Sequence, residues 1–257
     1  MKTGDSWVSV YTNWDKESMN TKIINIFLYQ YQRALEWKLK RSFDGSFVAM
    51  FHQVEENHNK WYDKRYAISF SHFQRFVYNL QDGGYEFISP YDIYNGKIKK
   101  RILLSFDDVF DGVFYVVYPF LKEKNIPFVI FPAIDKLQEE GYLNSEMLLK
   151  MINEYPGCYI GAHSISHNNL RYLSKAESKR EIIESGEILE NIAGKNVDLF
   201  AYPFGSADAV GRRERNIAKS KYKFAFGTVQ GGVASNTDRG YIPRININDA
   251  NYCSIIR

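Results

Sequence analysis

An apolar segment near the middle of the chain ends in two adjacent acidic residues. Ile102, Leu103 and Leu104 have the length and flanking charge of a buried parallel strand, and Asp107 and Asp108 follow them. Neighbouring strand residues point to opposite faces, so both carboxylates can reach one pocket only where the strand ends. The pattern therefore predicts a site at the C-terminal edge of a parallel sheet or barrel. The alternative is that one aspartate caps a helix.

Short apolar strands alternate with amphipathic helices along most of the chain. The predicted strands cover residues 47–51, 102–106, 127–131, 158–162, 199–202, 223–226 and 241–247. This alternation indicates an α/β fold, namely a distorted or incomplete (β/α) barrel of about seven mostly parallel strands. A further amphipathic helix is predicted over residues 22–41. We expect an N-terminal helical extension over 1–44 and one barrel domain over 45–257.

Composition and charge exclude several classes of function. The net charge is only +3 and the basic residues are spread along the chain, so we expect no nucleic-acid partner. No run approaches the roughly 18 apolar residues of a membrane span. The first residues lack the apolar core of a secretory signal, so we expect a cytoplasmic protein. Cys158 and Cys253 lie far apart and are expected to be free thiols.

Polar residues at the ends of other predicted strands indicate a metal site. His163 and His167 follow the strand over 158–162 at a spacing of four residues, so both imidazoles can face one point. With one carboxylate they form a ligand set that suits Zn²⁺, Fe²⁺, Co²⁺ or Ni²⁺. His52 and Arg244 are expected at the same rim. The alternative for His52 is a buried structural histidine.

Such a site has the parts that metal-assisted hydrolysis of an amide or ester requires. A bound metal acidifies a water molecule and polarises a carbonyl group. A second carboxylate can accept the proton of the water, and a histidine at the rim can protonate the leaving amine. A backbone N–H near a strand end can stabilise the oxyanion.

Four motifs, in this order, resemble those of the NodB-like polysaccharide deacetylases, carbohydrate esterase family four. They are SFDD at 105–108, HSISH at 163–167, FAYPFG at 200–205 and IPRI at 242–245. The likeness extends over about residues 47–247. It implies that Asp107 is the catalytic base and that the N–H of Phe204 serves the oxyanion. It also implies one divalent metal, with Asp108, His163 and His167 as ligands.

Three departures from the family pattern bear on the site. Val109 stands where the family has glycine, and a β-branched residue resists unusual backbone angles, so we expect a slightly different loop. The arginine expected before the Tyr-Pro motif is absent, which leaves Arg244 to pair with Asp107 and keep it ionised. The late histidine is also absent. His52 resembles its replacement as general acid, as in the permuted deacetylases that act on poly-N-acetylglucosamine.

The sequence therefore predicts a metal-dependent N-deacetylase with Zn²⁺ as the first choice of metal. The expected substrate is an N-acetylated sugar in a polysaccharide or in a cytoplasmic precursor of capsule or lipopolysaccharide. One alternative is a catalytically silent barrel that binds a saccharide or a partner protein. Another is a hydrolase of a non-sugar amide or an O-acetyl ester. Retention of the expected base and of all three expected ligands argues against a silent protein.

Overall fold

The computed structural model describes residues 45–56, 63–95 and 100–253. The helix predicted over 22–41, and with it the proposed N-terminal extension, lies outside the described residues. The strands are β1 Phe47–Phe51, β2 Gln53–Glu55, β3 Ala67–Ser69, β4 Glu86–Phe87, β5 Arg101–Asp107, β6 Phe128–Phe131, β7 Cys158–Ile160, β8 Leu199–Ala201, β9 Phe224–Phe226 and β10 Ile245–Asn246. The α-helices are α1 Phe70–Asp82, α2 Tyr118–Glu123, α3 Ser145–Glu154, α4 Lys175–Ala193 and α5 Arg212–Lys221.

The strands form an incomplete parallel barrel. Strands β10, β1, β5, β6 and β7 pair in that order, and β4 adds to β5, giving a six-stranded sheet. The pairs β2–β3 and β8–β9 form separate two-stranded sheets, and every one of these ladders is parallel. Single parallel bridges, Ala162 to Phe200 and Phe226 to Ile242, connect β7 to β8 and β9 towards β10. The predicted fold class is confirmed.

The described residues contain ten strands rather than the predicted seven. The three additional strands, β2, β3 and β4, have only two or three residues each, which is too short to produce a hydrophobic period. The strand predicted over 241–247 is shorter than expected, because only Ile245 and Asn246 pair continuously with β1.

The hydrophobic core is built around strands that are buried on both faces. All residues of β1 and β5 are buried, as expected for parallel strands covered by helices. On the helix side, Phe51 contacts Phe73 and Phe76 of α1 in edge-to-face geometry and stacks on Phe106 of β5. These aromatic contacts fix β1 and β5 against α1, below the strand ends that carry the candidate site residues.

Local signals explain how α4 begins and ends and how α2 begins. Ser174 and Glu177 form a capping box at the start of α4, and Gly194 ends it with a φ of 64°. A wider turn, Val113–Val117, precedes α2, which has Pro119 in its first turn. Proline has no amide hydrogen, so the regular hydrogen-bond ladder is interrupted there. None of the helices in the described ranges combines the length and apolar character needed to cross a membrane.

Candidate metal centre and active site

Three predicted ligands converge at the C-terminal ends of β5 and β7. Asp108 follows β5, while His163 and His167 follow β7. One ligand atom from each residue lies within 4.8 Å of the others. The Asp108 Oδ1 atom is 3.2 Å from His167 Nε2 and 3.7 Å from His163 Nε2. This is a compact two-histidine, one-carboxylate cluster.

The states of His163 and Asp108 fit a divalent metal. His163 Nδ1 lies 2.8 Å from the carbonyl oxygen of Ala201 and must donate to it, which leaves the Nε2 lone pair free to bind. Burial lowers the pKa of His163 to about 4, although the charge of Asp107 opposes this, so the imidazole is neutral near pH 7. The Asp108 Oδ1 atom is buried and accepts no hydrogen bond from any described residue. A cation would satisfy it.

The loop between the two histidines is held in a strained conformation. Ser164 and His167 have φ angles of 67° and 56°, and the Ser164 hydroxyl accepts a hydrogen bond of 3.0 Å from the His167 amide. The Glu181 carboxylate on α4 accepts from the amides of Ile165 and Ser166, at 2.9 and 3.0 Å. Glu181 therefore supports the ligand loop. Sequence reasoning missed it, because nothing near Glu181 in the sequence indicates partners 15 and 16 residues away.

Asp107 precedes the predicted ligand Asp108 and is paired with Arg244. The two guanidinium nitrogens Nη1 and Nη2 donate to the two carboxylate oxygens at 2.7 and 2.6 Å. Arg244 Nε donates to the carbonyl oxygen of Gly227 at 2.9 Å. Burial alone would raise the pKa of Asp107, but the positive charge of Arg244 and its hydrogen bonds lower it to about 2. Asp107 is therefore ionised at neutral pH.

The acidic pair is followed by two left-handed residues. Asp108 and Val109 have φ angles of 57° and 56°. Val109 adopts this conformation although it is β-branched, and its side chain is fully buried. Its amide donates to the Asp107 carbonyl at 2.6 Å and its own carbonyl accepts from Leu143 at 3.0 Å. Packing and hydrogen bonds thus hold a loop shape that usually requires glycine.

His52 lies at the end of β1, and its ring is 4.7 Å from the ring of Tyr66. Its Nδ1 atom is buried and has no hydrogen-bond partner among the described residues. Burial lowers the pKa of His52, and the negative charges of Asp107 and Asp108 only partly oppose this effect. Sequence reasoning did not predict Tyr66. His72, by contrast, lies away from this cluster, where its Nδ1 is 2.8 Å from Asp249 Oδ1.

Phe204 lies in the loop after β8 and contacts His167. It has a φ of 61° and its ring is 5.2 Å from that of His167. Its carbonyl accepts a hydrogen bond of 2.7 Å from Thr228 Oγ1. No acceptor for its amide occurs in the described part of the chain, so this N–H is available to a substrate.

Comparison with known families decides the identity of this arrangement. The family model for "Polysaccharide deacetylase" matches residues 95–222, which include Asp107, all three predicted ligands and Phe204. The chain carries a polysaccharide deacetylase domain. The sequence-based prediction of a NodB-like deacetylase, and with it of a hydrolytic enzyme, is confirmed.

Individual relatives agree with this assignment. The deacetylase domain is similar to a poly-β-1,6-N-acetyl-D-glucosamine N-deacetylase of Staphylococcus aureus (strain MSSA476). The two are 26% identical over 235 residues, which cover 85% of this chain and 78% of that one.

Solved structures share the fold. The deacetylase PplD of Streptococcus pyogenes, solved with acetate, superposes with a TM-score of 0.71 at 21% identity, covering 82% of this chain and 98% of that one. IcaB of Ammonifex degensii gives a TM-score of 0.70 at 22% identity, covering 83% and 96%.

Proposed function

We propose that this deacetylase domain removes N-acetyl groups from a β-1,6-linked N-acetylglucosamine polymer, with the help of one divalent metal. The observation that carries the proposal is the position of Asp107, an ionised buried carboxylate directly beside the cluster of Asp108, His163 and His167. A carboxylate base next to a metal site is the arrangement that hydrolysis of an acetamide requires. The S. aureus relative, which aligns with 85% of this chain, supports the class of polymer.

The donor set favours zinc among the divalent metals. Two imidazole nitrogens and one carboxylate oxygen are ligands that Zn²⁺ commonly takes, and the three protein ligands leave positions open for water and substrate. Co²⁺, Ni²⁺ and Fe²⁺ accept the same donors. When bound, the ion would polarise the acetamido carbonyl group and make a water molecule more acidic.

The remaining residues have distinct roles in the proposed reaction. Asp107 accepts the proton of the attacking water, and Arg244 positions Asp107 and keeps it ionised between turnovers. The Phe204 N–H donates to the oxygen on which negative charge develops.

His52 completes the set as the proposed general acid, which delivers a proton to the leaving amine nitrogen. Its place at the end of β1, at the same rim as the acidic pair, supports this role. Burial lowers the pKa of His52, and the charges of Asp107 and Asp108 oppose this by favouring the protonated imidazole. A purely structural histidine of this degree of burial would be expected to have a hydrogen-bond partner at Nδ1, and in the described residues it has none.

Two predictions from the sequence, the precursor substrate and the cytoplasmic location, go beyond what the site geometry supports. The relatives support a β-1,6-linked polymer rather than the capsule or lipopolysaccharide precursor that the sequence favoured. The cytoplasmic location remains a prediction.

The proposal is tested by acetate release from defined substrates. We expect the zinc-loaded protein to release acetate from β-1,6-linked N-acetylglucosamine oligomers and not from O-acetylated saccharides or peptidoglycan. His52→Ala should reduce this rate by about 100-fold or more. His72→Ala is the matched control and should leave the rate unchanged, because His72 contacts Asp249 instead of the site.

Three outcomes would each contradict one part of the proposal: the type of bond hydrolysed, the role of His52, or catalysis itself. Release from O-acetyl substrates alone would replace the N-deacetylase with an esterase. An unchanged rate in His52→Ala would remove the general-acid role. No release from any substrate by metal-loaded protein would favour the catalytically silent barrel.

A further inference from the structure

Helix α5 carries more positive charge than its neighbours neutralise. It contains five cations, which are Arg212, Arg213, Arg215, Lys219 and Lys221. Three of them form ion pairs with carboxylates, at 2.5, 2.7 and 2.9 Å, namely Arg213–Glu214, Lys219–Asp238 and Lys221–Glu190. In the described part of the chain, Arg212 and Arg215 have no carboxylate partner. These two arginines are three residues apart and share one face of the helix.

The guanidinium of Arg215 is held in place but has no acceptor. It lies over the ring of Tyr241, with its carbon atom 4.1 Å from the ring centroid. Its Nε atom is buried and makes no hydrogen bond to any described residue. A buried donor without an acceptor costs free energy. The Nε–H of Arg215 can therefore be satisfied only by a ligand or by water.

A groove of about 390 Å³ opens at this guanidinium. Its lining includes Ala207, Val210, Arg212, Arg215, Asn216 and Lys219. Among the described residues of the lining, Asp238 is the one carboxylate, and it forms an ion pair with Lys219 at 2.7 Å. The groove therefore has a net positive charge, and its volume suits a single group of sugar size.

We propose that this groove binds a phosphate group, either on a saccharide or as the free ion. Two guanidinium groups and the Asn216 side-chain amide offer several N–H donors, which suits a ligand with three acceptor oxygens. None of the lining residues belongs to the metal cluster, so the site is independent of the deacetylation chemistry. It is nevertheless close to the active-site loop, because the hydroxyl of Tyr241 donates to the carbonyl oxygen of Gly205, next to Phe204.

The test is calorimetric titration of the metal-loaded protein with inorganic phosphate and with a phosphorylated N-acetyl sugar, at fixed ionic strength. We expect Arg212→Gln and Arg215→Lys each to weaken phosphate binding by about 10-fold or more. Arg180→Gln, at an exposed arginine on α4, is the matched control for loss of one charge and should bind as the wild type does. Tighter binding of the sugar phosphate than of the free ion would identify a saccharide as the source.

Arg215→Lys keeps the charge but loses the planar stacking on Tyr241, and Arg212 is exposed, so neither variant should unfold the domain. Unchanged phosphate affinity in both variants would overturn the proposal. So would binding that is lost only in His163→Ala, since the phosphate would then occupy the metal centre. A wild-type protein that binds no phosphate would overturn it as well.

Discussion

Arg244 and Asp107 form a fully enclosed ion pair, in which the two side chains are 0% and 2% exposed and meet through two parallel hydrogen bonds. Desolvation of both charges is costly, and the bidentate geometry offsets this cost only while both partners are present. The buried proposed base therefore stays ionised because the folded barrel holds Arg244 against Asp107.

Removing the guanidinium should damage both stability and activity. Arg244→Gln leaves a buried carboxylate without its counter-charge, and we expect a loss of about 3–5 kcal/mol in the free energy of unfolding. We also expect the deacetylation rate to fall by about 100-fold, because Asp107 loses its position. Urea unfolding and acetate release measure the two effects. Arg180→Gln, which breaks an exposed pair with Glu184, should cost less than about 1 kcal/mol; equal losses in the two variants would refute the argument.

Metal binding should depend on the imidazole of His163. Metal-stripped wild-type protein is expected to bind one equivalent of Zn²⁺ or Co²⁺, and His163→Ala should lose tight binding. The absorption spectrum of the Co²⁺ form reports the coordination directly, without any substrate. His72→Ala should bind as the wild type does. Tight binding that survives in His163→Ala would place the metal elsewhere.

Two opposing contributions to stability meet at Val109, namely the strain of its left-handed backbone and the burial of its side chain. A left-handed residue other than glycine costs about 1–2 kcal/mol, whereas the buried valine side chain contributes about 1.5–3 kcal/mol and leaves a cavity when removed. We therefore expect Val109→Gly to lower the free energy of unfolding by about 1 kcal/mol while metal binding is retained. Asn125→Gly, at an exposed residue with a φ of 53°, should be nearly neutral. A more stable Val109→Gly protein would mean that strain outweighs packing.

The two cysteines should differ sharply in reactivity. Cys158 is buried in β7, where burial raises the pKa of its thiol, while Cys253 is exposed. We expect one thiol to react rapidly with a thiol reagent in the folded protein and both to react after unfolding. Cys253→Ser should abolish the rapid phase. Two rapidly reacting thiols in the folded wild type would contradict the burial of Cys158.

Asp249 should make stability depend on pH in the acid range. Burial raises its pKa, but hydrogen bonds from the Ser69 amide and from His72 outweigh this and lower it below 3.8. A depressed folded-state pKa stabilises the fold above about pH 4, and this contribution is lost as the pH falls through the folded value. Asp249→Asn should therefore lose about 1–2 kcal/mol near pH 7 and progressively less below about pH 4.

Urea unfolding of Asp249→Asn and wild-type protein at several pH values measures this difference. The exposed Asp208→Asn is the control and should show no such dependence. A stability difference that stays constant down to about pH 3 would show that ionisation of Asp249 is not its source.

Local patterns in the sequence predicted the main strands, the helices and the site residues that follow them. The end of helix α4 could be predicted, because Gly194 is a strong local signal for the end of a helix. The pairing of Arg244 with Asp107 was predicted, but other supporting contacts of the site could not be. Glu181 and Tyr66 act through partners that are distant in the sequence, and no periodic pattern encodes such a contact. Strands β2, β3 and β4 were missed for the related reason that two or three residues show no period.

The pairing of β10 with β1 joins the two ends of the barrel domain, with Ile245 opposite Ala49. During synthesis on a ribosome, β1 and the acidic pair therefore emerge long before the segment that pairs with β1, and Arg244 lies 137 residues after Asp107. A nascent chain that lacks this segment has no partner for the buried carboxylate. The domain should thus acquire its catalytic competence only after the segment with Arg244 has been synthesised, and chains terminated before Arg244 should be inactive even when most of their strands are already present.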